Sequence, residues 1–498
     1  MFSKIKKHSS DVIWTAKDAA AATDGKINGD WSVTGLSIDT RTLQPGDLFI
    51  ALKGDKMDGH AYVAEALAKG AAAAMVHSIP PGVHSSEKLL MVGDTFTALQ
   101  DLGRAARART GAKIIAVTGS VGKTGTKEML AAAFGASGQA HASKGSFNNH
   151  WGVPFTLAAM HAGSDFGIFE IGMNHAGEIT PLSQMVKPHI AIITTVEAVH
   201  LEHFGTVEKI ADAKAEIFDG LDHHGIAVLN RDNPHFARLS AAAKTHGVKV
   251  MTFGEHPEAD ARLEECLLAT NGSLIRANIL GQEVKFTLKN AGRHIALNAL
   301  SVLLSVEIGG GNLKKAIRDL EKIEPPAGRG KRENINVGDP KNPLTLFDDT
   351  YNASPVSMQA AFRVLATVDP GRGGRRIAFL GDMYELGADA ARFHRELSLP
   401  LQAAGVNLVY TSGSLMKNLY DTLPPELRGH HEDDVQKLAQ IVPDVLVPGD
   451  VVLVKGSRGG GEKPRMQAIV EAVRKMPPVN DKKPPNGPNS NGGMKNAL

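Results

Sequence analysis

Short apolar runs alternate with amphipathic segments along most of the chain. The middle third carries the runs KIIAVTG, FGIFEIG, IAIITTV, GIAVLN and VKVMTFG. Because these runs are apolar throughout and amphipathic stretches separate most of them, they predict parallel strands covered by helices on both faces. The alternation returns later in LTLFDDTY, RRIAFLGD, NLVYTSG and DVVLVKGS. The pattern therefore predicts two α/β domains.

Two further segments complete the predicted organisation. Residues 14–107 mix the runs GDLFIAL, AAAAMVH and KLLMVG with alanine-rich helical stretches, which predicts a small N-terminal α/β domain. The sequence KIEPPAGRGKR at 322–332 is rich in proline and glycine, which predicts an interdomain linker. We therefore expect an α/β fold of three domains at 1–108, 109–326 and 327–476, followed by a disordered tail at 477–498.

Composition narrows the class of protein. The 498 residues are 42% hydrophobic and 22% charged, with a formal net charge of +2, so we expect no nucleic-acid partner. No apolar run approaches the roughly 20 residues of a membrane-spanning helix, so we expect no membrane insertion. The basic start MFSKIKKHSS lacks the apolar segment of a secretory signal. The single cysteine, Cys266, excludes an internal disulfide and predicts a cytoplasmic location.

The stretch AVTGSVGKTGTKE at 116–128 is the first candidate site. A common phosphate-binding loop has a glycine five places before its Gly-Lys pair, and that place holds Val117. The stretch nevertheless joins an apolar run to a predicted helix that begins near Lys123, where backbone N–H groups favour bound phosphate. Lys123 can reach terminal phosphates and the Thr124 hydroxyl can ligate Mg²⁺. The alternative is a turn that needs glycine only for its backbone angles.

The spacing Gly-x-x-Gly-Lys-Thr-x-Thr-Lys resembles the ATP loop of the Mur ligase superfamily, whose members join amino acids or peptides to nucleotide-linked cell-wall precursors. The resemblance covers residues 14–473. It implies a small N-terminal UDP-binding domain, a central, mostly parallel P-loop-type ATPase domain and a C-terminal Rossmann-like ligase domain. It also implies ATP contacts from the whole loop, namely Gly119, Ser120, Val121, Gly122, Lys123, Thr124, Gly125 and Thr126.

A glutamate and a histidine extend this site towards a metal. Glu170 ends the apolar run in FEIGMNHAGEI, at the sheet edge where ligands collect, and a carboxylate there can coordinate a hard cation. A solvated strand-end glutamate is the alternative. In TTVEAVHLEHFG the resemblance selects His200 as a contact of a second magnesium and leaves His203 structural. The resemblance implies Asn-Ile-Gly before the Ala-His pair, as in many relatives. This chain has TTVEAVH there instead and so departs from the family pattern.

The helix ADAKAEIF carries Lys214, which on its own is an ordinary solvated lysine. The resemblance implies instead that CO₂ carbamylates it and that the product bridges to magnesium, which requires a neutral amine. We therefore expect ATP, Mg²⁺ and a CO₂-derived carbamate as cofactors. The expected metal ligands are Thr124, Glu170, His200 and carbamylated Lys214, and the expected catalytic residues are Lys123, Lys214, His200 and Glu170.

The remaining nucleotide contacts are spread over two segments. AGRHIALNALSVLLSV predicts a helix on which His294 and Asn298, four residues apart, share one face. The resemblance implies that this helix flanks the adenine, whereas two unrelated surface residues are the alternative. It also implies that Arg329 in GRGKR reaches the ATP phosphates and that Asp349 in FDDTYNASP holds the ribose.

The resemblance also nominates residues for the other substrates. In SFNNHWGVPFTLA, Asn148 and Asn149 are expected to shape a substrate channel, although they are also ordinary turn residues. SIDTRTLQPGDLFIAL resembles a UDP pocket with Ser37, Asp39, Arg41 and Phe49, of which Phe49 has a plain core position as its alternative. The C-terminal candidates are Tyr351 and Asn352 near the base and incoming substrate, with Lys455, Ser457 and Arg458 for a carboxylate.

These motifs imply a reaction. The Asn-Asn-x-x-Gly-Val-Pro stretch is present, and an Asp-Asn-Pro-Arg motif for a diamino acid is absent from the C-terminal third. The resemblance therefore implies a monomer that joins D-Ala-D-Ala to UDP-MurNAc-tripeptide through an acyl phosphate. An ATP-driven switch protein, a ligase for the third amino acid and a folate polyglutamate ligase are the alternatives. The sequence leaves the third residue of the tripeptide open.

Overall fold

The computed structural model describes residues 11–54, 57–269, 272–459 and 465–476, and the predicted tail at 477–498 lies outside them. The chain divides into two compact units. The first contains the chain up to Pro326 together with Ser354–Ala360 and Glu385–Ala390, and the second contains the rest. The division at 326 falls within the segment 322–332 that the sequence marks as a linker. The predicted boundaries of three domains stay a prediction.

The first unit begins with a small α/β layer. A five-stranded sheet has the order β2-β7-β6-β5-β4, parallel except for β2, and β1 pairs with β3 separately. The elements are β1 (Trp14–Thr15), α1 (Ala16–Thr23), β2 (Lys26–Ile27), β3 (Ser32–Val33), β4 (Gly35–Ser37), β5 (Asp47–Ile50), α2 (Val63–Ala68), β6 (Ala73–Val76), β7 (Leu89–Met91) and α3 (Thr95–Arg109).

A nine-stranded sheet follows in the same unit, with the order β16-β15-β14-β13-β12-β11-β8-β10-β9. Its elements are β8 (Lys113–Thr118), α4 (Lys123–Gly135), β9 (Ala140–Ala142), α5 (Gly152–Ala158), β10 (Phe166–Glu170), α6 (Ile179–Val186), β11 (Ile190–Ile193), α7 (Leu201–Phe204), α8 (Val207–Ala215), β12 (Ile226–Asn230), α9 (Phe236–Thr245), β13 (Lys249–Gly254), β14 (Ala261–Ala269), β15 (Gly272–Ile279), β16 (Gln282–Leu288), α10 (Arg293–Ile308) and α11 (Leu313–Leu320).

The fully apolar runs of the middle third form parallel strands, as the sequence predicts. On β8, Ile115 and Val117 join the core that contains α10, whereas Ile114 and Ala116 join the core that contains α6 and α8. This alternation follows from the two-residue period of a strand, so both faces of the sheet are buried. The antiparallel strands β14–β16 were not predicted. Residues along β14 alternate between buried and exposed positions, so no continuous apolar run marks that strand.

Helices α3 and α5 join the small N-terminal sheet to the larger one. The Trp14 indole is buried and its Nε1 donates a hydrogen bond to the Ala158 carbonyl oxygen at 2.8 Å. Trp14, Leu102 and Phe155 belong to one hydrophobic core, and the Arg109 guanidinium lies 3.7 Å from the centre of the Trp14 ring. The N-terminal and central parts are therefore packed against each other through a shared core.

The second unit is another α/β layer, with the strand order β17-β18-β22-β19-β20-β21 and only β17 antiparallel. Its strands, with the helices of this part of the chain, are β17 (Lys331–Ile335), β18 (Leu344–Asp349), α12 (Pro355–Ala366), β19 (Arg376–Gly381), α13 (Ala390–Arg395), α14 (Ser398–Ala403), β20 (Leu408–Ser412), α15 (Lys417–Thr422), β21 (Arg428–Glu432), α16 (Val435–Gln440), α17 (Val442–Val445), β22 (Val451–Lys455) and α18 (Gln467–Arg474). The predicted α/β fold class is confirmed.

A helix long and apolar enough to cross a membrane does not occur in the described part of the chain. Four short 3₁₀ helices complete the secondary structure of the residues that the structure describes, at Gly59–Tyr62, Glu216–Gly220, Gly387–Asp389 and Pro425–Leu427. The second of these packs on α6, where the Ser183 hydroxyl donates to the Ile217 carbonyl oxygen at 2.5 Å.

This packing makes Gly220 a sensitive position. A Cβ atom there would lie 2.0 Å from the carbonyl carbon and oxygen of Ser183, so Gly220→Ala requires a backbone shift. We expect the substitution to lower the free energy of unfolding by about 1–3 kcal/mol, measured by urea denaturation. Gly135→Ala is the control, because a Cβ at that exposed end of α4 has no neighbour within 4 Å. Equal unfolding midpoints for the two variants would contradict this assignment.

Candidate active site

The turn between β8 and α4 is held by two close approaches to its glycines. Gly119 has φ 150°, and a Cβ there would lie 1.8 Å from the Thr194 Oγ1 atom. Gly122 has φ 86° and precedes α4, and its Cβ would lie 2.6 Å from Asn298 Nδ2. Both positions therefore require glycine for backbone angle and for space. The short loop identified in the sequence is a closely packed turn.

Hydrogen bonds fasten this turn to the end of β11. The Thr194 hydroxyl donates to the Val121 carbonyl oxygen at 2.6 Å, and the Ser120 N–H donates to the Thr195 carbonyl oxygen at 2.9 Å. Sequence reasoning missed Thr194 and Thr195 as partners of the loop. The signal available was a pair of threonines directly after an apolar strand.

Lys123 and Thr124 begin α4 as predicted. The Lys123 ammonium donates to the Gly119 carbonyl oxygen at 2.6 Å, so it lies over the turn. The Thr124 hydroxyl is 3.5 Å from the Ser146 hydroxyl. The first backbone N–H groups of a helix and the positive end of its dipole make this terminus suitable for phosphate. Gly125 and Thr126 lie in the first turn of the same helix.

Glu170 lies beside this turn because β10 pairs with β8 and brings Glu170 opposite Val117. The side chain is buried, and its Oε1 accepts a hydrogen bond from Asn148 Nδ2 at 2.7 Å. Its Oε2 is buried without a hydrogen-bond partner among the described residues. A buried carboxylate oxygen without a partner is unfavourable, and a bound cation would satisfy it. Asn149 Oδ1 instead accepts at 2.9 Å from the N–H of Gly152, the first residue of α5.

Lys214 is fully buried near the end of α8. Burial, and then the positive charge of Lys123, hold the pKa of the Lys214 ammonium well below its usual value. The part of the chain that the structure describes offers it no carboxylate partner. A lysine in this environment favours the neutral amine, which is the form that reacts with CO₂. The site therefore suits the chemistry that the resemblance implies.

His200 precedes α7 in a left-handed backbone conformation with φ 56°. Its imidazole contacts the carboxylate of Glu385, a residue of the same compact unit, and this contact lowers the pKa of Glu385. The His203 ring packs against the His175 ring with centroids 4.6 Å apart. Groups of three or more His, Cys, Asp or Glu side chains arranged for a metal do not occur within the described ranges.

The segment TTVEAVH places the carboxyl group of Glu197 beside the loop. The Glu197 N–H donates to the Ser120 hydroxyl at 2.9 Å, and the Thr195 hydroxyl donates to Glu197 Oε1 at 2.9 Å. Burial raises the pKa of Glu197. Glu197 therefore lies beside the turn, three residues before His200 in the chain.

Helix α10 brings Asn298 but not His294 into the turn. Asn298 is buried, and its amide lies against Gly122. His294 is exposed in the first turn of the helix, beside Gly292. The shared face that the sequence predicts therefore runs from the turn at Asn298 to solvent at His294.

In the second unit, β18 and β22 end in an ion pair. Asp349 is aligned with Lys455, and Lys455 Nζ lies 2.7 Å from Asp349 Oδ2 and 2.9 Å from the Asn352 carbonyl oxygen. Burial raises the pKa of Asp349, and the Lys455 charge opposes this shift. The Asn352 amide oxygen accepts from the Ala353 N–H at 2.9 Å. Two predicted substrate residues and one predicted ATP residue are thus adjacent.

Tyr351 lies between two cations of the second unit. Its ring centre is 3.9 Å from the Arg329 guanidinium carbon and 5.7 Å from that of Arg458. Tyr351 and Arg458 help to line a cavity of about 520 Å³. The Ser457 hydroxyl accepts from the Tyr384 N–H at 3.2 Å and donates to the Ala353 carbonyl oxygen at 3.3 Å.

The N-terminal candidates separate into a polar loop and a core residue. Asp39 and Arg41 form an ion pair at 2.9 Å, and the hydrogen bond from Arg41 lowers the pKa of Asp39. The buried Ser37 hydroxyl accepts from the Asp39 N–H at 3.2 Å. Phe49 is buried in a hydrophobic core with Ala51 and Val63. This position agrees with the alternative interpretation of Phe49 as an ordinary core residue.

Comparison with known proteins identifies the domains. The Mur ligase family catalytic domain matches residues 32–107, the Mur ligase middle domain matches 117–306, and the Mur ligase glutamate ligase domain matches 335–458. The N-terminal, middle and C-terminal domains of the family are therefore all present.

Curated relatives match over nearly the whole chain. A UDP-N-acetylmuramoyl-tripeptide–D-alanyl-D-alanine ligase of Rickettsia prowazekii is 35% identical over 90% of this chain and 98% of its own length. The ligase of the same name from Escherichia coli is 32% identical over 91% of this chain and 96% of its own length.

Solved structures agree with the sequence matches. MurF from Acinetobacter baumannii has a TM-score of 0.78 and 28% identity, covering 93% of this chain and 98% of that structure. MurF from Thermotoga maritima, solved in complex with ADP, has a TM-score of 0.72 and 25% identity, covering 89% and 97%. The turn, the buried groups beside it and these matches lead to one conclusion: the chain belongs to the Mur ligase family.

Proposed function

We propose that this protein is an ATP-dependent ligase that joins D-Ala-D-Ala to UDP-MurNAc-tripeptide in peptidoglycan precursor synthesis. The observation that carries the proposal is the 35% identity, over 90% of the chain, to a relative named for this reaction. The ADP complex of the Thermotoga maritima relative supports ATP as the nucleotide. ATP and nucleotide-linked substrates are cytoplasmic metabolites, so we propose that the enzyme works in the cytoplasm. We also propose that it is a monomer.

The ATP phosphates bind at the turn 119–122 and the first turn of α4 in this proposal. The residues from Gly119 to Thr126 surround the phosphates, backbone N–H groups at the start of α4 bind them, and the Lys123 ammonium offsets their charge. Asn298 lies against Gly122 and is the candidate to contact the nucleoside from α10. The proposal assigns further ATP contacts to His294, Arg329 and Asp349.

The metal ligands in the proposal are Thr124, Glu170, His200 and carbamylated Lys214. The buried Oε2 of Glu170, without a partner among the described residues, supports an Mg²⁺ site at the end of β10. Bound Mg²⁺ supplies charge that stabilises the crowded phosphate oxygens. The buried amine of Lys214, with its lowered pKa, supports carbamate formation. A carbamate would replace the buried neutral amine of Lys214 with an anionic oxygen donor near Lys123.

The reaction then proceeds in two steps. An oxygen of the terminal carboxylate of the tripeptide attacks the γ-phosphorus of ATP, which gives an acyl phosphate and ADP. The neutral amine of D-Ala-D-Ala attacks the acyl carbon, the new C–N bond forms, and inorganic phosphate and a proton leave. A free carboxylate is a poor acyl donor, so phosphorylation supplies the leaving group. The enzyme contributes positioning and charge stabilisation.

The two other substrates use opposite ends of the chain. Ser37, Asp39 and Arg41 are the proposed UDP contacts, whereas Phe49 occupies a core position. Asn148 and Asn149 are proposed to shape the substrate channel. The C-terminal residues Tyr351, Asn352, Lys455, Ser457 and Arg458 are proposed to hold the amino component, whose carboxylate an arginine can bind through two hydrogen bonds.

A substrate panel tests the proposed reaction. Purified protein with ATP, Mg²⁺ and UDP-MurNAc-tripeptide should form ADP rapidly when D-Ala-D-Ala is added and only slowly with free lysine or diaminopimelate, measured by a coupled ADP assay. ADP release without either substrate would favour the switch alternative. Preference for a diamino acid with UDP-MurNAc-dipeptide would favour the ligase for the third residue.

The substitution Lys123→Met tests the phosphate turn. The variant keeps an unbranched side chain of similar length and removes its charge, so we expect kcat for ADP formation to fall by about 10²–10³. Lys209→Met, at an exposed position of α8, is the matched control and should retain kcat. Similar kcat values for the two variants would remove Lys123 from the proposed machinery.

Labelling with ¹³C-bicarbonate tests the modification of Lys214. We expect a carbamate carbon signal in the ¹³C NMR spectrum of the wild-type protein and its absence in Lys214→Arg, because a guanidinium stays protonated. Lys214→Arg should also lose ligase activity, measured as ADP formation with both substrates. A carbamate signal of equal intensity in the variant would assign the modification to another lysine.

A further inference from the structure

Lys127 is a buried lysine that the proposed reaction leaves without a role. It lies one turn after Lys123 on α4, and its side chain is 1% exposed. Burial of an ammonium group is costly unless hydrogen bonds and an opposite charge compensate it. Lys127 Nζ lies 2.5 Å from Glu128 Oε1 and donates to the Ser143 carbonyl oxygen at 2.7 Å. The second contact joins α4 to the residue that directly follows β9.

Ser143 follows β9 and lies alongside β10. Its N–H donates to the Ile168 carbonyl oxygen at 3.2 Å, and its hydroxyl lies 3.4 Å from the Glu170 N–H group. Ser143 is therefore next to the backbone that leads into Glu170. The Lys127 ammonium binds the carbonyl oxygen of Ser143 itself.

Asn148 binds the chain just after β10, beyond Glu170 in the sequence. Its carbonyl oxygen accepts from the Gly172 N–H at 2.8 Å, while its Nδ2 donates to Glu170 Oε1 at 2.7 Å. Residues 143–148, which we call the bracing segment, are thus attached to β10 before and after Glu170. The Asn148 bond occupies one carboxylate oxygen and leaves Oε2 without a partner among the described residues.

We propose that Lys127 is a positioning residue that, through the bracing segment, orients the Glu170 carboxylate towards a divalent cation. The ammonium holds Ser143 at the start of the segment, and Asn148 at its end fixes Oε1. This inference rests on the proposed metal role of Glu170. An apolar side chain of similar length would fill the same volume in the core, but it would leave the Ser143 carbonyl group without its donor.

The test compares ADP affinity with Mg²⁺ and with EDTA by isothermal titration calorimetry. In wild-type protein, Mg²⁺ should strengthen ADP binding. In Lys127→Met, this gain should fall by about 10-fold or more, the typical cost of removing a group that orients a metal ligand, while the affinity in EDTA stays unchanged. The Mg²⁺ concentration for half-maximal ligase activity should rise by a similar factor.

Glu128→Gln is the matched control, because it changes the exposed partner of Lys127 and leaves the bond to Ser143 in place. It should retain the full gain from Mg²⁺. Glu170→Gln should lose that gain. If Lys127→Met keeps the gain and Glu170→Gln loses it, the role of Lys127 is wrong and the proposed metal role stands. If Glu170→Gln keeps it, the metal role itself fails.

Circular dichroism and thermal unfolding of each variant separate positioning from folding. Lys127→Gln, which is shorter and neutral, is the second variant if Lys127→Met loses its native spectrum. A folded Lys127→Gln should show the same reduced gain from Mg²⁺, and a wild-type gain in it would overturn the proposal. Loss of the native spectrum in both variants would make Lys127 a structural residue and would overturn it as well.

Discussion

The close packing of the turn 119–122 against Thr194 and Asn298 is the constraint on which the candidate site depends. The two contacts come from the end of β11 and from α10, so two separate elements hold one short turn. Neither glycine position has room for a Cβ atom. The start of α4, and with it Lys123, is thereby fixed relative to the neighbouring strands, which is the condition for a pre-organised phosphate site.

The ionisable groups around this turn are buried at a cost that the fold alone does not explain. Lys214 is buried without a carboxylate partner in the described part of the chain, and the Lys123 charge further lowers its pKa. One oxygen of Glu170 is buried without a partner in that same part. Such groups reduce stability when they stay unsatisfied, and proteins retain them chiefly at functional sites. A phosphate, a cation and a carbamate would compensate them together.

Both compact units place their candidate residues at the carboxyl ends of parallel strands. In the first unit, β8 and β10 end beside the turn and at Glu170. In the second unit, β18 and β22 end at the paired Asp349 and Lys455. Helices follow strands at this edge, so backbone N–H groups and polar side chains collect there. The central sheet and the sheet of the second unit thus place their candidate residues at the same edge of a parallel sheet.

The parallel strands and the short turn between β8 and α4 were predictable from the sequence, because fully apolar runs and a local Gly-x-x-Gly-Lys-Thr spacing are properties of neighbouring residues. It did not reveal β14–β16, whose exposed face breaks the apolar run, or the short edge strand β17, which is largely polar. Other contacts are visible only in the folded chain. Thr194 and Asn298 lie against the turn, whereas His294 does not reach it. Lys127 donates a hydrogen bond to the Ser143 carbonyl oxygen. These contacts join residues far apart in the chain, and their geometry depends on how strands and helices pack.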